Sequence, residues 1–135
     1  MENIQAILSN NRVGTLATLN VDGSPWATPV HILADNEAVY WFSKDTHQHS
    51  LNVENDPRVS IALWSTENGQ NGAYISGLAQ KLAGEEAEKA FDIVVATFGS
   101  IPPVFDGVSA YRVPLGQPNT EKSSEKRWYF YTKNV

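Results

Sequence analysis

The residues best suited to chemistry in this chain form a short polar segment that follows an apolar one. Ser43, Lys44 and Thr46 bring two hydroxyl groups and one ammonium group to the start of a helix predicted over residues 46–54. The first N–H groups of a helix lack backbone partners and its dipole attracts negative charge, so this arrangement suits an anion such as a phosphate. The same residues also suit an ordinary capped helix between two strands.

The three histidines raise the question of a metal site, which the rest of the sequence does not support. His47 and His49 are two residues apart and lie on different faces of a helix, so they do not chelate one ion. His31 falls on a proline-bounded strand, where a surface or interface histidine is more common than a ligand. The chain has no cysteine, and it shows no glycine-rich phosphate loop, nucleophile elbow or Ser-His-Asp arrangement. The sequence therefore predicts neither a metal site nor a catalytic set of side chains.

Composition is that of an ordinary globular protein. The 135 residues suit one domain over residues 1–135, with 41% hydrophobic and 19% charged residues. The net charge of −5 argues against nucleic-acid binding, which requires a basic face. No run approaches the ~18 apolar residues of a membrane span, and the first residues do not form a signal peptide. We therefore expect a cytoplasmic protein that binds neither a membrane nor nucleic acid.

Three helices are predicted from hydrophobic spacing and capping signals. A short amphipathic helix is expected over residues 2–11, and an apolar stripe at helical spacing predicts a longer helix over residues 85–98. Between them, the helix over residues 46–54 has Asp45 three residues before Gln48, which is typical of a capping box.

Strand patterns alternate with turns along most of the remaining chain, and Asp22-Gly23 joins the first two strands as a hairpin. Pro25 and Pro29 cannot donate to a strand ladder, so the second strand is predicted to be an edge strand or to carry a bulge. The order of elements predicts a mainly β fold with helices, an antiparallel barrel of about six strands with Greek-key crossings. Side chains fill such a barrel, so a ligand is expected in a groove or at a subunit boundary. The predicted strands are residues 13–20, 26–33, 38–43, 58–65, 73–82, 109–115 and 127–133.

The four tryptophans fall into two groups by position. Trp41 and Trp64 flank the polar segment and are predicted to be core or interface residues. Trp26 and Trp128 lie near predicted strand ends, where a ring can pack on a ligand or on a partner subunit. The surplus of aromatic residues favours a homodimer that is assembled through an apolar, aromatic-rich face.

The order of these segments resembles a known family. The series LATLNVDGSPWATPVHI, VYWFSK, SLNVENDPRVSIAL and YISGLAQKL is similar to the pyridoxamine 5′-phosphate oxidase-like family of flavin-binding split barrels, from about Val13 to Phe98. The most specific piece is ENDPRVS, residues 54–60, together with the preceding strand that ends in a serine. The resemblance implies a six-stranded antiparallel split barrel. It also implies a homodimer that holds two FMN molecules in clefts between the subunits.

The resemblance also implies which residues contact the cofactor. The family places phosphate contacts at the end of strand three and in the next helix, where it commonly carries a Ser-Arg-Lys-like triplet at the positions of His47, Gln48 and His49. This chain therefore lacks the usual basic pair, and a second basic position, on strand two, is occupied by His31. The expected cofactor-binding residues are Ser43, Lys44, Thr46, Gln48, His49, His31 and Trp128.

The function implied by the resemblance is that of an FMN-dependent oxidoreductase acting on an unidentified small molecule. A nicotinamide cofactor or F420 would be its electron partner, and no side-chain acid or base is required for hydride transfer. A true pyridoxamine 5′-phosphate oxidase also needs arginine and histidine near its C-terminus. Here no histidine follows His49, and only Arg112, Arg127 and Trp128 stand in that region. The alternative is a non-catalytic protein that binds flavin or haem, or a relative that has lost the cofactor.

Overall fold

The structure of the chain, a computed structural model, describes residues 12–65, 71–116 and 128–132, and the helix predicted over residues 2–11 lies outside them. Within these ranges the chain forms eight strands, two α-helices and one short 3₁₀ helix. The strands are β1 Val13–Leu19, β2 Pro25–Ala34, β3 Ala38–Ser43, β4 Arg58–Ser65, β5 Asn71–Leu78, β6 Gln80–Lys81, β7 Ser109–Pro114 and β8 Trp128–Thr132. The helices are α1 Gln48–Asn55, α2 Gly84–Phe98 and the 3₁₀ helix Pro103–Phe105.

All eight strands belong to one curled sheet in the order β6-β7-β3-β2-β1-β4-β5-β8. Neighbouring strands are antiparallel except β5 and β8, which run parallel. A single residue, Ala79, separates β5 from β6, although these strands lie near opposite ends of the order. Its N–H donates to the carbonyl of Pro57 at 2.7 Å. The chain therefore carries the sheet around on itself, and a mainly β, barrel-like fold with two helices is confirmed.

The strand count is the main difference from the expectation of about six. The segment predicted as one strand over residues 73–82 divides at Ala79 into β5 and the two-residue β6, which pair with different neighbours. β6 joins β7, whereas β5 joins β4. A bend of this kind allows one chain segment to pair with strands in two different parts of a curled sheet.

β2 departs from the prediction of an edge strand, because it lies between β1 and β3. Its first seven positions nevertheless pair with β1 alone, from Pro25 opposite Leu19 to His31 opposite Val13, and β3 joins only from Ile32 onward. Pro25 and Pro29 therefore stand in the half of the strand that has one neighbour, where a missing N–H leaves no pairing partner unsatisfied.

The core has two layers that share β3, whose six residues are all buried. The interior layer fills the barrel, and Trp41 stacks on Tyr111 there, with ring centroids 5.8 Å apart and an interplanar angle of 7°. The second layer packs α2 and the 3₁₀ helix against the other face of β3, with Phe42 contacting Phe91 and Phe105. Because both sides of β3 are covered, its position and that of Ser43 at its end are fixed by packing.

No helix among the described residues is long and apolar enough to cross a membrane.

Candidate functional site

The polar segment after β3 folds as a turn and not as the first turn of a helix. α1 begins at Gln48 with His47 as its N-cap residue, which makes no side-chain cap bond. The predicted helix start at residue 46 and the capping box of Asp45 and Gln48 are therefore wrong. The physical reason is the backbone of Lys44, whose carbonyl accepts the N–H of His47 at 3.1 Å and so closes a turn before the helix starts.

Ser43 and His49 are brought into direct contact at the base of this turn. The His49 Nε2 atom lies 2.7 Å from the Ser43 Oγ atom, and both residues are buried. Burial lowers the pKa of His49, and the neighbouring His47, whose ring centroid is 5.5 Å away, lowers it further. Both effects favour the neutral imidazole, in which one ring nitrogen donates and the other accepts.

Gln48 is tied to a polar network that joins α1 to β1. Its Nε2 atom donates to the Oδ1 atom of Asn52 at 2.8 Å. The Nδ2 atom of Asn52 in turn donates to the Thr18 Oγ1 atom at 3.0 Å and to the Asn20 Oδ1 atom at 2.9 Å. Asn52 is 1% exposed, so this network joins the helix to the sheet in addition to the apolar packing of Val53 in the core.

Asn52 was not among the residues predicted from the sequence, although the buried face of α1 carries a signal for it. The buried residues of α1 are His49, Ser50, Asn52 and Val53, which recur at helical spacing. A helix with mostly polar residues on its buried face must satisfy them by hydrogen bonds, because an unpaired buried polar group is costly.

Two positively charged side chains, Lys44 and Lys81, and two negatively charged ones, Asp45 and Glu54, lie at or near the turn. Lys81 reaches in from β6, and its Nζ atom lies 3.6 Å from the Asp45 Oδ2 atom and 3.9 Å from the Glu54 Oε1 atom. Lys44 pairs with neither carboxylate. Lys81 was missed because its closeness to the turn depends on the curl of the sheet, which sequence spacing does not show.

The other residues predicted to bind the cofactor do not take part in the contact between Ser43 and His49. Lys44, Thr46 and Gln48 are exposed around the turn. His31 is exposed on β2, and its ring centroid lies 6.0 Å from that of Phe105. Trp128 lies on β8, but its side chain is outside the described residues.

Arg112, one of the few cations near the C-terminus, is held by protein groups. Its Nε atom donates to the Gln80 Oε1 atom at 2.7 Å, and its Nη2 atom lies 3.1 Å from the Glu86 Oε2 atom. These contacts join β6 and β7 to the first turn of α2. Arg127 lies outside the described residues.

Two observations describe what the described residues offer a metal ion or a larger ligand. They contain no cluster of three histidine or carboxylate side chains that could hold a metal ion. A groove of about 260 Å³ opens on the outside of the sheet beside Thr18, Pro25, Arg58 and Ser60. Pockets for ligands of drug or cofactor size usually measure roughly 300–1,000 Å³, so this groove encloses a large ligand only with a second wall.

Comparison with known proteins shows which proteins this chain is similar to. A model of the family described as pyridoxamine 5′-phosphate oxidase matches residues 1–130. The chain is similar to the solved structure of a heme binding protein from Mycobacterium smegmatis, with 29% identity and a TM-score of 0.64 over 83% of this chain and 49% of that one.

Two less identical structures share the split-barrel fold. The heme storage protein HutZ from Vibrio cholerae has 17% identity and a TM-score of 0.72 over 86% of this chain and 89% of that one. An F420 reductase has 18% identity and a TM-score of 0.63 over 82% of this chain and 91% of that one.

The chain is shorter than some of the proteins it matches. It spans about half of the M. smegmatis protein, as the 49% coverage shows. It matches 36% of a tRNA1(Val) (adenine(37)-N6)-methyltransferase from Erwinia tasmaniensis, with 32% identity over 90 residues, or 66% of this chain.

Proposed function

The chain belongs to the pyridoxamine 5′-phosphate oxidase family, and from that premise we propose that it is an FMN-dependent oxidoreductase acting on a small molecule. A nicotinamide cofactor or F420 would exchange electrons with the flavin. The flavin would supply the hydride chemistry, and the protein would bind the phosphate, orient the ring and exclude water.

One observation carries the proposal: the turn between β3 and α1 gathers anion-binding groups at a fixed place. The Ser43 hydroxyl and the His49 imidazole are in contact at 2.7 Å, Lys44 follows Ser43 directly and is exposed on the turn, and α1 begins at Gln48 where the turn ends. The remaining expected contacts, Thr46 and Gln48, lie exposed on the same turn.

The ring of the flavin would lie between two copies of the chain. We define the outer sheet face as the residues of β1, β2, β4 and β5 that point away from the barrel interior. They are half-buried or exposed and alternate with buried positions in β1, β4 and β5, whereas in β2 the intervening Trp26 is exposed and Thr28 is half-buried. Its members are Val13, Thr15, Ala17, Leu19, Pro25, Ala27, Pro29, His31, Arg58, Ser60, Ala62, Trp64, Tyr74, Ser76 and Leu78.

This face has the composition of a subunit interface. None of its members is an aspartate, glutamate or lysine, and Arg58 at one corner is already paired with Asp56 at 2.7 Å. Interface centres are depleted of charge in the same way. A second copy on this face would also supply the missing wall of the groove beside Thr18 and Pro25.

The purified protein tests the proposal directly. We expect a yellow preparation, or one that binds added FMN, whose flavin absorbance bleaches when NAD(P)H or reduced F420 is supplied. Lys44→Ala should weaken FMN binding by roughly tenfold, because one partly exposed ammonium contributes a few kcal/mol at most. Lys89→Ala removes an exposed lysine of α2 and is the matched control. His49→Arg should strengthen binding. If Lys44→Ala and His49→Arg both leave FMN affinity unchanged while flavin still binds, the phosphate lies elsewhere.

A second candidate is a non-catalytic protein that holds haem or flavin. The 29% identity to the heme binding protein of M. smegmatis favours it, as does the absence of a permanent cation at Gln48 and His49. Haem that binds with a sharp Soret band, while FMN is either ignored or bound but never reduced, would select this function over the first. A colourless protein that ignores both ligands contradicts both candidates.

A further inference from the structure

We infer that the turn between β3 and α1 is built for an oxyanion that carries a single negative charge. Such groups are a carboxylate, a phosphodiester, or a phosphate monoester that keeps one proton. The inference rests on the proposed function, since it concerns the same site, and it names the class of ligand group that the site accepts.

The permanent charges around the turn are balanced. Two lysines and two carboxylates are present, and the Lys81 ammonium lies within 4 Å of both Asp45 and Glu54, at 3.6 and 3.9 Å. Together with Lys44 these four permanent charges sum to zero, and Lys44, exposed on the turn, is the lysine that takes part in neither ion pair. The turn therefore offers a ligand one available ammonium group and no net positive charge.

Gln48 and His49, where the family resemblance places a basic pair, carry no permanent positive charge. His49 is 7% exposed, and its Nε2 atom lies 2.7 Å from the Ser43 Oγ atom. Its ring also faces the ring of His47, a second titratable side chain. The Gln48 amide is committed to Asn52 at 2.8 Å. These groups offer hydrogen bonds to an oxyanion but no charge.

A dianion would meet one cation and a set of neutral donors beside two carboxylates. Its second negative charge would lose its hydration without gaining a positively charged partner, and the free-energy cost of this desolvation opposes binding. A monoanion avoids this cost, because Lys44 neutralises it while the hydroxyl, the imidazole and the α1 N–H groups satisfy its oxygens.

Three flavins with the same ring system and a different charge at the end of the ribityl chain provide the test. Riboflavin is uncharged there, riboflavin 4′,5′-cyclic phosphate is a diester with one charge, and FMN is a dianion at about pH 8 because its second ionisation lies near pH ~6. Flavin fluorescence titrations at about pH 8 should show the cyclic ester binding at least as tightly as FMN and roughly tenfold more tightly than riboflavin. The preference for the ester over FMN should disappear at about pH 5.5, where FMN takes up its proton.

The variant His49→Lys adds a permanent cation and should reverse the order at about pH 8, so that FMN binds roughly tenfold more tightly than the cyclic ester. Lys44→Gln should reduce the ester to the affinity of riboflavin, whereas Lys89→Gln on α2 should change nothing. FMN that binds wild-type protein tenfold more tightly than the ester at about pH 8 overturns the inference and leaves the proposed function standing.

The two proposals also fail in distinguishable ways. If wild-type protein binds none of the three flavins but His49→Lys binds FMN, the proposed function is wrong for the natural chain and the inferred charge deficit is supported. If neither wild-type protein nor His49→Lys binds any of them, both proposals are wrong.

Discussion

β3 and the outer sheet face are both rich in apolar residues, yet β3 is buried whereas the outer sheet face is half-buried or exposed. All six residues of β3 are buried, because the barrel interior covers one side and α2 with the 3₁₀ helix covers the other. On the outer sheet face Ala62, Trp64, Tyr74 and Leu78 are half-buried or exposed, and no described helix lies over them. Apolar residues that pack inside the chain determine the fold, whereas apolar residues left on a surface with few charges favour association.

The largest expected effect comes from removing the centre of β3. Trp41 is fully buried and stacked on Tyr111, so Trp41→Ala should lower the free energy of unfolding by roughly 3–5 kcal/mol. Trp26 is 43% exposed and provides the matched control, for which Trp26→Ala should cost less than about 1 kcal/mol. Urea denaturation followed by circular dichroism measures both. Equal losses would mean that exposure does not distinguish the two rings.

A charge on the outer sheet face should separate subunits without unfolding them. Ala62 lies between Thr15 and Tyr74 at the middle of that face, and in a two-fold dimer each substitution occurs twice. We expect Ala62→Glu to raise the dimer dissociation constant at least roughly a hundredfold, or about 2.7 kcal/mol. Sedimentation velocity measures the shift.

Val21→Glu is the control for that experiment, since Val21 is 81% exposed in the β1–β2 turn and lies off the face. It adds the same charge and should leave association unchanged. A wild-type chain that sediments as a monomer at micromolar concentration contradicts the dimer altogether.

A smaller effect is expected at the polar network that joins α1 to β1. Asn52→Ala removes two donated hydrogen bonds and leaves the Gln48 amide without its acceptor, so it should cost roughly 1–2 kcal/mol. Asn55→Ala changes an exposed asparagine of the same helix and is the control. Thermal denaturation of both variants checks the prediction, and equal midpoints would show that the network adds nothing to stability.

The smallest effect is a change in how stability depends on pH. Burial and the neighbouring His47 lower the pKa of His49, so the unfolded chain binds its proton more readily than the folded chain. The stabilisation is complete above the unfolded value of ~6.5 and is lost as the pH falls from there toward the lower folded value. Melting temperatures at about pH 8 and about pH 5.5 should therefore differ less in His49→Gln than in wild-type protein. His31→Gln removes an exposed imidazole as a control, and a wild-type-like difference in His49→Gln would contradict the assignment.

Sequence patterns identified most elements because alternation and helical spacing are local. β3 was predicted over its full range, and α2 starts one residue before its predicted range and ends with it. The start of α1 was wrong because a backbone acceptor at Lys44 outweighed the side-chain capping signal of Asp45. Local patterns carry no information about such competition.

The site was predictable in part for the same reason. Ser43, Lys44 and Thr46 stand next to one another in the chain, so their grouping followed from the sequence. Lys81 reaches Asp45 of the turn, and Thr18 reaches Asn52 of α1, only because β6 and β1 fold beside these segments, and no spacing rule connects them. The sequence predicted both Trp41 and Trp64 to be core or interface residues. The structure buries Trp41 in the core and leaves Trp64 47% exposed.

The pairing of β3 with β7 has a consequence for the nascent chain. β7 follows β4, β5, β6 and α2 in order of synthesis, yet it is the strand that completes the second edge of β3. While the ribosome adds those elements, β3 presents an apolar strand edge without its final neighbour, and such edges promote aggregation. We therefore expect newly made chains to need a chaperone that covers this edge until Pro114 has left the exit tunnel.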